Sequence, residues 1–277
     1  MKIYQENESL NVEEGVHLEL IRLFSDRGKP SLVFVKGLGG AAGNREGLID
    51  KLAENYHVVT FSPRNSGNSN GNYTITNFVS DSEKVIDYIS QWQGKKPFGV
   101  GHSAGGYTLA KLTENNSLVE RAVLLAPLIK MDEQNPLIIN WYLRNCAKNK
   151  RNPFFLREYK LDDQRFNGAD VSDFLKSIYQ SSECDSELKS PTLVLLSGAT
   201  GMRLPISGQK MKGLKDRWEK LGAEVEVYPN LNHFFSGKWY QGARRVFDEL
   251  EKPEFYERIR GFLSFFHITK VPKKGRV

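Results

Sequence analysis

Gly101-His102-Ser103-Ala104-Gly105-Gly106 is the stretch on which the reading of this chain turns. The apolar run Phe98-Gly99-Val100 leads into it as a short strand, and Tyr107-Thr108-Leu109-Ala110-Lys111-Leu112 leads out as a helix, which puts Ser103 at the corner. A strand that turns sharply into a helix crowds the neighbours of the corner residue, so the positions two before and two after it must lack side chains. Gly101 and Gly105 meet that requirement, and Gly106 gives further room for helix against strand. A bare G-x-S-x-G is a weak signal. Strand, motif and helix in that order make it a strong one, pointing to a serine hydroxyl held exposed in a strained turn.

Outward from this corner, apolar β-branched runs alternate with helical patterns. His17 to Phe24 alternates as a strand does, and Ser31-Leu32-Val33-Phe34-Val35 is a continuous apolar run of the kind buried on both faces. A helix from Arg45 to Glu54 precedes the strand Val58-Val59-Thr60-Phe61, and Phe78, Val79, Val85, Ile86, Ile89 and Trp92 repeat at helical spacing. Ala122 to Ala126, Thr192 to Leu196 and Glu224 to Tyr228 read as the remaining strands, and Phe255 to Phe266 as a closing helix. This alternation predicts a mostly parallel sheet covered by helices on both faces. The interval 131–188 is too long for one crossover and reads as a helical cap insert, with 1–130 and 189–277 as the core. Its Trp141, Tyr142, Phe154, Phe155, Phe174 and Tyr179 either line an apolar pocket or pack the insert onto the sheet.

With 277 residues and 39% hydrophobic content, the chain can bury a sizeable core. Lys and Arg number 39 against 33 Asp and Glu, a mild basic excess that sits partly in Lys148 to Arg151 and Lys270 to Arg276 and reads as solvated surface. Two cysteines, Cys146 and Cys184, suggest neither a disulfide framework nor a zinc site, so a reducing compartment is expected. No apolar leader opens the sequence and no apolar run reaches about 18 residues, which predicts a cytoplasmic protein without a membrane span. No phosphate loop, metal-ligand cluster or dinucleotide fingerprint is evident, and the basic residues are not interleaved with aromatics, so neither a cofactor, a metal nor a nucleic-acid partner is expected.

Several loops arrive in an order that resembles the α/β-hydrolase superfamily, from about Lys2 to Phe266. Lys36-Gly37-Leu38-Gly39-Gly40 is similar to that family's His-Gly oxyanion loop, and Ser62-Pro63-Arg64-Asn65-Ser66-Gly67-Asn68-Ser69 is similar to its Asp-x-Arg-Gly-x-Gly-x-Ser turn. The serine turn comes next, then the insert, then Asn232-His233-Phe234 after the last strand. The resemblance implies acyl transfer through a covalent intermediate on Ser103, with His233 as the base that takes its proton. It also implies oxyanion donors from the backbone N–H groups of Leu38 and Ala104. Lys36 replaces the histidine that braces the family's loop; it is expected to face solvent, the alternative being a charge offered to the substrate. His102 is expected to point away from the reacting face, and His17, His57 and His267 to be structural or solvated.

The third member of a triad is not where the resemblance looks for it. Gly201 occupies the usual place of the acid in Ser197 to Pro205, and Ala126 occupies the other known location. Three explanations stand open: Asp132 or Glu133 supplies the carboxylate, a water or the Thr200 hydroxyl holds the imidazole in a dyad, or the chain keeps the pocket only for binding. The expected function is hydrolysis of a carboxylic ester or thioester of small to medium, partly apolar shape. A non-catalytic ligand binder is the contrasting reading.

Overall fold

The computed structural model describes residues 2–37, 42, 47–128, 177, 184–198, 206–229 and 233. Within them the strands are β1 (Tyr4–Glu13), β2 (Val16–Phe24), β3 (Ser31–Val35), β4 (His57–Phe61), β5 (Phe98–His102), β6 (Ala122–Leu125), β7 (Thr192–Ser197) and β8 (Glu224–Tyr228). The helices are α1 (Gly47–Ala53), α2 (Ile75–Gln93), α3 (Ala104–Asn115) and α4 (Gly208–Lys220). The strands form one eight-stranded sheet in the order β1-β2-β4-β3-β5-β6-β7-β8. Pairing is antiparallel for β1 with β2 and β2 with β4, and parallel from β4 through β8.

Every residue of β3, β4, β6 and β7 is buried, as expected of parallel strands covered on both faces. Alternation along β3 splits the core in two. Val33 and Val35 face the side packed by α2, α3 and α4 through Phe78, Ile86, Leu109 and Trp218. Leu32 and Phe34 face the side packed by Leu48, Ile49 and Leu52 of α1. The longest described helix, α2, starts where Thr74 caps the N–H of Asn77 and stops at Gly94, whose φ of 68° the helix cannot continue.

The sequence reading locates β2 through β8 and α1 through α3 to within a few residues. It places no strand over Tyr4–Glu13, because this edge strand buries only Val12 and its polar composition hides the alternation. It sets no bounds for α4, whose buried side chains are only Met211 and Trp218. The expected cap over 131–188 lies outside the described residues apart from Ser177 and the returning segment from Cys184, and the closing helix from Phe255 to Phe266 lies wholly outside them. Ser177 accepts a 2.8 Å hydrogen bond from the N–H of Ile75 and so touches the start of α2.

Candidate active site

All the parallel strands run the same way, so the segments leaving β3, β5, β6, β7 and β8 gather at one end of the sheet, which is where open α/β sheets bind their ligands. Ser103 stands there between β5 and α3 with φ 56° and ψ −117°. A non-glycine residue in such a conformation costs on the order of 1–3 kcal/mol and persists only where its surroundings over-determine it. They do so here. The Ser103 N–H donates to the Leu125 carbonyl at 2.9 Å, while its carbonyl accepts from Leu128 N–H at 2.8 Å and Tyr107 N–H at 3.1 Å. A Cβ on Gly105 would lie 2.0 Å from the carbonyl oxygen of Val35, and one on Gly101 would lie 2.5 Å from the oxygen of Gly105. The glycines therefore let the corner press directly onto the end of β3.

The chain leaving β3 passes alongside Ser103: a Cβ on Gly37 would stand 3.1 Å from the Cβ of Ser103. Leu38, the next residue, lies outside the described residues. Ala104, the other expected donor, opens α3 and is buried, and a helix leaves its first N–H groups without an intrahelical partner. Lys36 corrects its expectation. It is 2% exposed rather than solvent-facing, because the strand end it occupies is enclosed between the serine turn and the core.

His233 is buried at the same end of the sheet. Its carbonyl oxygen lies 3.1 Å from Nε2 of His102, and the two rings are 4.9 Å apart, centre to centre, at 45°. His102 therefore does not turn away from the reacting region, as the sequence suggests; it carries the peptide of the candidate base. Burial, and secondarily the neighbouring His102, hold the His233 imidazole well below the ordinary histidine range. At neutral pH it is uncharged, the form that can accept a proton.

The family profile of the serine aminopeptidases, S33, matches residues 26–235. The chain belongs to this family of α/β-hydrolases, and it is a hydrolase. A putative esterase/lipase of Haemophilus influenzae is 25% identical over 253 residues, covering 85% of this chain and 83% of that one. Among solved structures, an esterase of Pyrococcus furiosus superposes with a TM-score of 0.62 at 16% identity, covering 95% of this chain and 93% of that one. An E-2-(acetamidomethylene)succinate hydrolase superposes at 0.64 and 14% identity, covering 94% of this chain and 100% of that one. At these identities the solved structures establish a shared fold.

In this hydrolase the turn after β4 does more than its sequence announces. Ser62 stands where the resembling pattern has Asp, and the carboxylate comes instead from Glu19 on β2. Glu19 accepts from the Ser62 hydroxyl at 2.7 Å, from Asn68 N–H at 3.1 Å and from the Asn68 side chain at 2.6 Å. The Ser62 oxygen in turn accepts the N–H of Ala42 at 2.8 Å, so the turn braces the segment that follows the glycine loop. Beside it Arg64 makes a two-pronged pair with Asp81, both contacts 2.8 Å, and a third bond to Glu13 at 2.6 Å. The sequence reading missed Glu19, for which only the missing Asp at position 62 was a signal.

The acid's second known location is occupied by Ala126, buried, with φ 40° and its N–H bonded to the Leu195 carbonyl at 2.8 Å. Gly201, Thr200, Asp132 and Glu133 lie outside the described residues. The described residues on either side of 199–205 meet, since Ile206 N–H donates to the Gly198 carbonyl at 2.9 Å. A Cβ on Gly198 would lie 1.8 Å from the Pro229 oxygen, so the residues that follow β7 and β8 are in direct contact there. Among the described residues no cluster of His, Cys, Asp and Glu is arranged to hold a metal ion, and no helix is long and apolar enough to cross a membrane.

Proposed function

We propose that the protein is a serine hydrolase that cleaves a carboxylic ester or thioester of a small to medium, partly apolar substrate through an acyl-enzyme. The observation that carries this reading is the strained Ser103 corner, pressed against Gly37 on one side and followed by the opening N–H groups of α3 on the other. The Ser103 hydroxyl passes its proton to the neutral His233 imidazole as its oxygen attacks the substrate carbonyl carbon. The backbone N–H groups of Ala104 and Leu38 receive the negative charge that develops on the carbonyl oxygen, and they need no reorganisation to do so. The tetrahedral adduct collapses, and the alcohol or thiol leaves with the proton from His233. Water then gives a proton to His233 and attacks the acyl-serine, releasing the carboxylic acid and restoring Ser103.

The Haemophilus influenzae relative supports the ester-cleaving reading, and the aromatic residues of 131–188 support a cap whose inner face receives the apolar part of the substrate. Asp132 or Glu133, or else Thr200 or a water, orients the imidazole. Cysteine usage supports a reducing, cytoplasmic setting: Cys184 is buried and free, and burial pushes its thiol up to about 12, far from a reactive thiolate. The contrasting reading, a ligand binder with a hydrolase-like pocket, draws on Ala126 at an acid position. A fluorophosphonate probe separates the two. Labelling of the wild type and none of Ser103→Ala is the expected result; a folded wild type that takes no label overturns the enzyme reading in favour of the binder.

A further inference from the structure

The His102 side chain joins three parts of the candidate site: the serine corner, the glycine loop at Gly37 and His233. It is the residue before Ser103, so its ring is anchored to the serine corner covalently. Its Nε2 lies 3.1 Å from the carbonyl oxygen of His233. Its Nδ1 would stand 3.5 Å from a Cβ on Gly37, which puts that edge of the ring against the glycine loop. A carbonyl oxygen can only accept, so Nε2 carries the hydrogen, and in the neutral ring Nδ1 is the nitrogen with the lone pair.

Resting on the reading of Ser103 as nucleophile and His233 as base, we propose that His102 is the positioning residue of this site, fixing the His233 peptide against the serine corner through its Nε2–H. In a Ser-His-acid triad the acid orients the imidazole from the ring's far side. A ring hydrogen bond does not by itself fix where the base's backbone sits, and the segment carrying His233 follows β8, three strands away from the strand carrying Ser103. The strap from His102 spans that separation in one bond. The tilted packing of the two rings leaves His233 little freedom to swing away from the corner.

The test compares His102→Leu, His102→Asn and His102→Gln in the full chain, using hydrolysis of p-nitrophenyl butyrate, the rate of fluorophosphonate labelling and thermal melting. Leu fills the space without a donor, Asn places its amide nitrogen near Nδ1 and short of the His233 carbonyl, and Gln places one where Nε2 stood. Loss of one hydrogen bond that acts on the reacting geometry is expected to lower kcat and the labelling rate about tenfold in Leu and Asn, with KM within about twofold, and Gln is expected to recover most of the loss. If Leu fails to fold, Asn against Gln carries the comparison. The proposal is overturned if Leu or Asn keeps the wild-type kcat, or if Gln falls as far as they do while melting shows all of them folded. A wild type that neither hydrolyses the ester nor takes the probe overturns the parent reading and this inference with it, whereas an active wild type with indifferent His102 variants overturns this inference alone.

Discussion

Acidification should destabilise this protein in part through a histidine distant from the serine corner. His57 opens β4 at the opposite end of the sheet and is 1% exposed, its ring 4.6 Å from that of Phe24 and 4.6 Å from that of Trp92. Burial first, and then the positive charge of Arg22, push its pKa down from 6.5 to about 4. The unfolded chain takes up this proton near 6.5, so the contribution is complete above that pH and is lost as pH falls toward 4. At about 1.4 kcal/mol per unit, the whole window carries about 3 kcal/mol, of which about 2.5 kcal/mol is gone at about pH 4.5. Phe in place of His57 fits between the same two rings and does not titrate. Urea unfolding of wild type and His57→Phe at about pH 7.5 and about pH 4.5 isolates the effect, because carboxylates titrating elsewhere cancel between the two proteins. The stability of the wild type relative to the variant should fall by about 2.5 kcal/mol over that interval; a difference that stays constant to within about 0.5 kcal/mol refutes the reasoning.

Two further substitutions test the frame that holds the serine. Gly105→Ala forces a methyl group onto the Val35 carbonyl oxygen, 2.0 Å away, and neither backbone can yield without moving β3 or the corner. It should cost about 3 kcal/mol or more and abolish fluorophosphonate labelling, read by melting and by the probe; near-normal labelling would show that the corner is not packed as described. Asp81→Ala leaves the buried Arg64 guanidinium with Glu13, 48% exposed, as its partner among the described residues, and should cost about 3–5 kcal/mol in urea unfolding. Glu13→Gln, by contrast, should cost far less, because its carboxylate is exposed and screened, and equal effects of the two would contradict the assignment of Asp81 as the principal partner.

The parallel sheet was legible because its signal is local. Leu32-Val33-Phe34-Val35 and Leu193-Val194-Leu195-Leu196 are apolar at every position, which only a strand covered on both faces requires, and the Ser103 turn carries its own glycines. β1 was not legible for the converse reason: as an edge strand, it exposes Gln5, Asn7, Ser9 and Asn11 along one side and is specified by its pairing with β2 rather than by its own pattern. Trp92 illustrates a subtler limit. Its spacing assigns it to the buried stripe of α2, yet it sits in the helix's last turn, 39% exposed, against His57 and with the Arg22 guanidinium 4.9 Å from its ring centre. Periodicity names a face; it does not tell where along the helix the core ends.

Within the candidate site, the sequence proposes residues and is silent on the contacts among them. Ser103 and His233 are proposed from their place after a strand, but the bond from His102 to the His233 carbonyl joins positions 131 apart. The burial of Lys36 likewise depends on how closely the serine turn approaches β3. The Ser62 turn carries the most consequence for the open question of the acid. Judged by its own residues, that turn has lost its carboxylate; in the fold Glu19, 43 positions upstream, supplies one to the same hydroxyl and backbone groups. A carboxylate on the adjacent strand β2, one methylene longer than an aspartate, thus serves the donors of the turn after β4. The same substitution of source is open to the acid of the serine site. Ala126 leads directly into the segment that carries Asp132 and Glu133, and Leu128, two residues on from Ala126, is already tied to the Ser103 carbonyl at 2.8 Å. If Asp132 or Glu133 orients His233, it does so as Glu19 serves the Ser62 turn, from a neighbouring segment rather than from the motif itself.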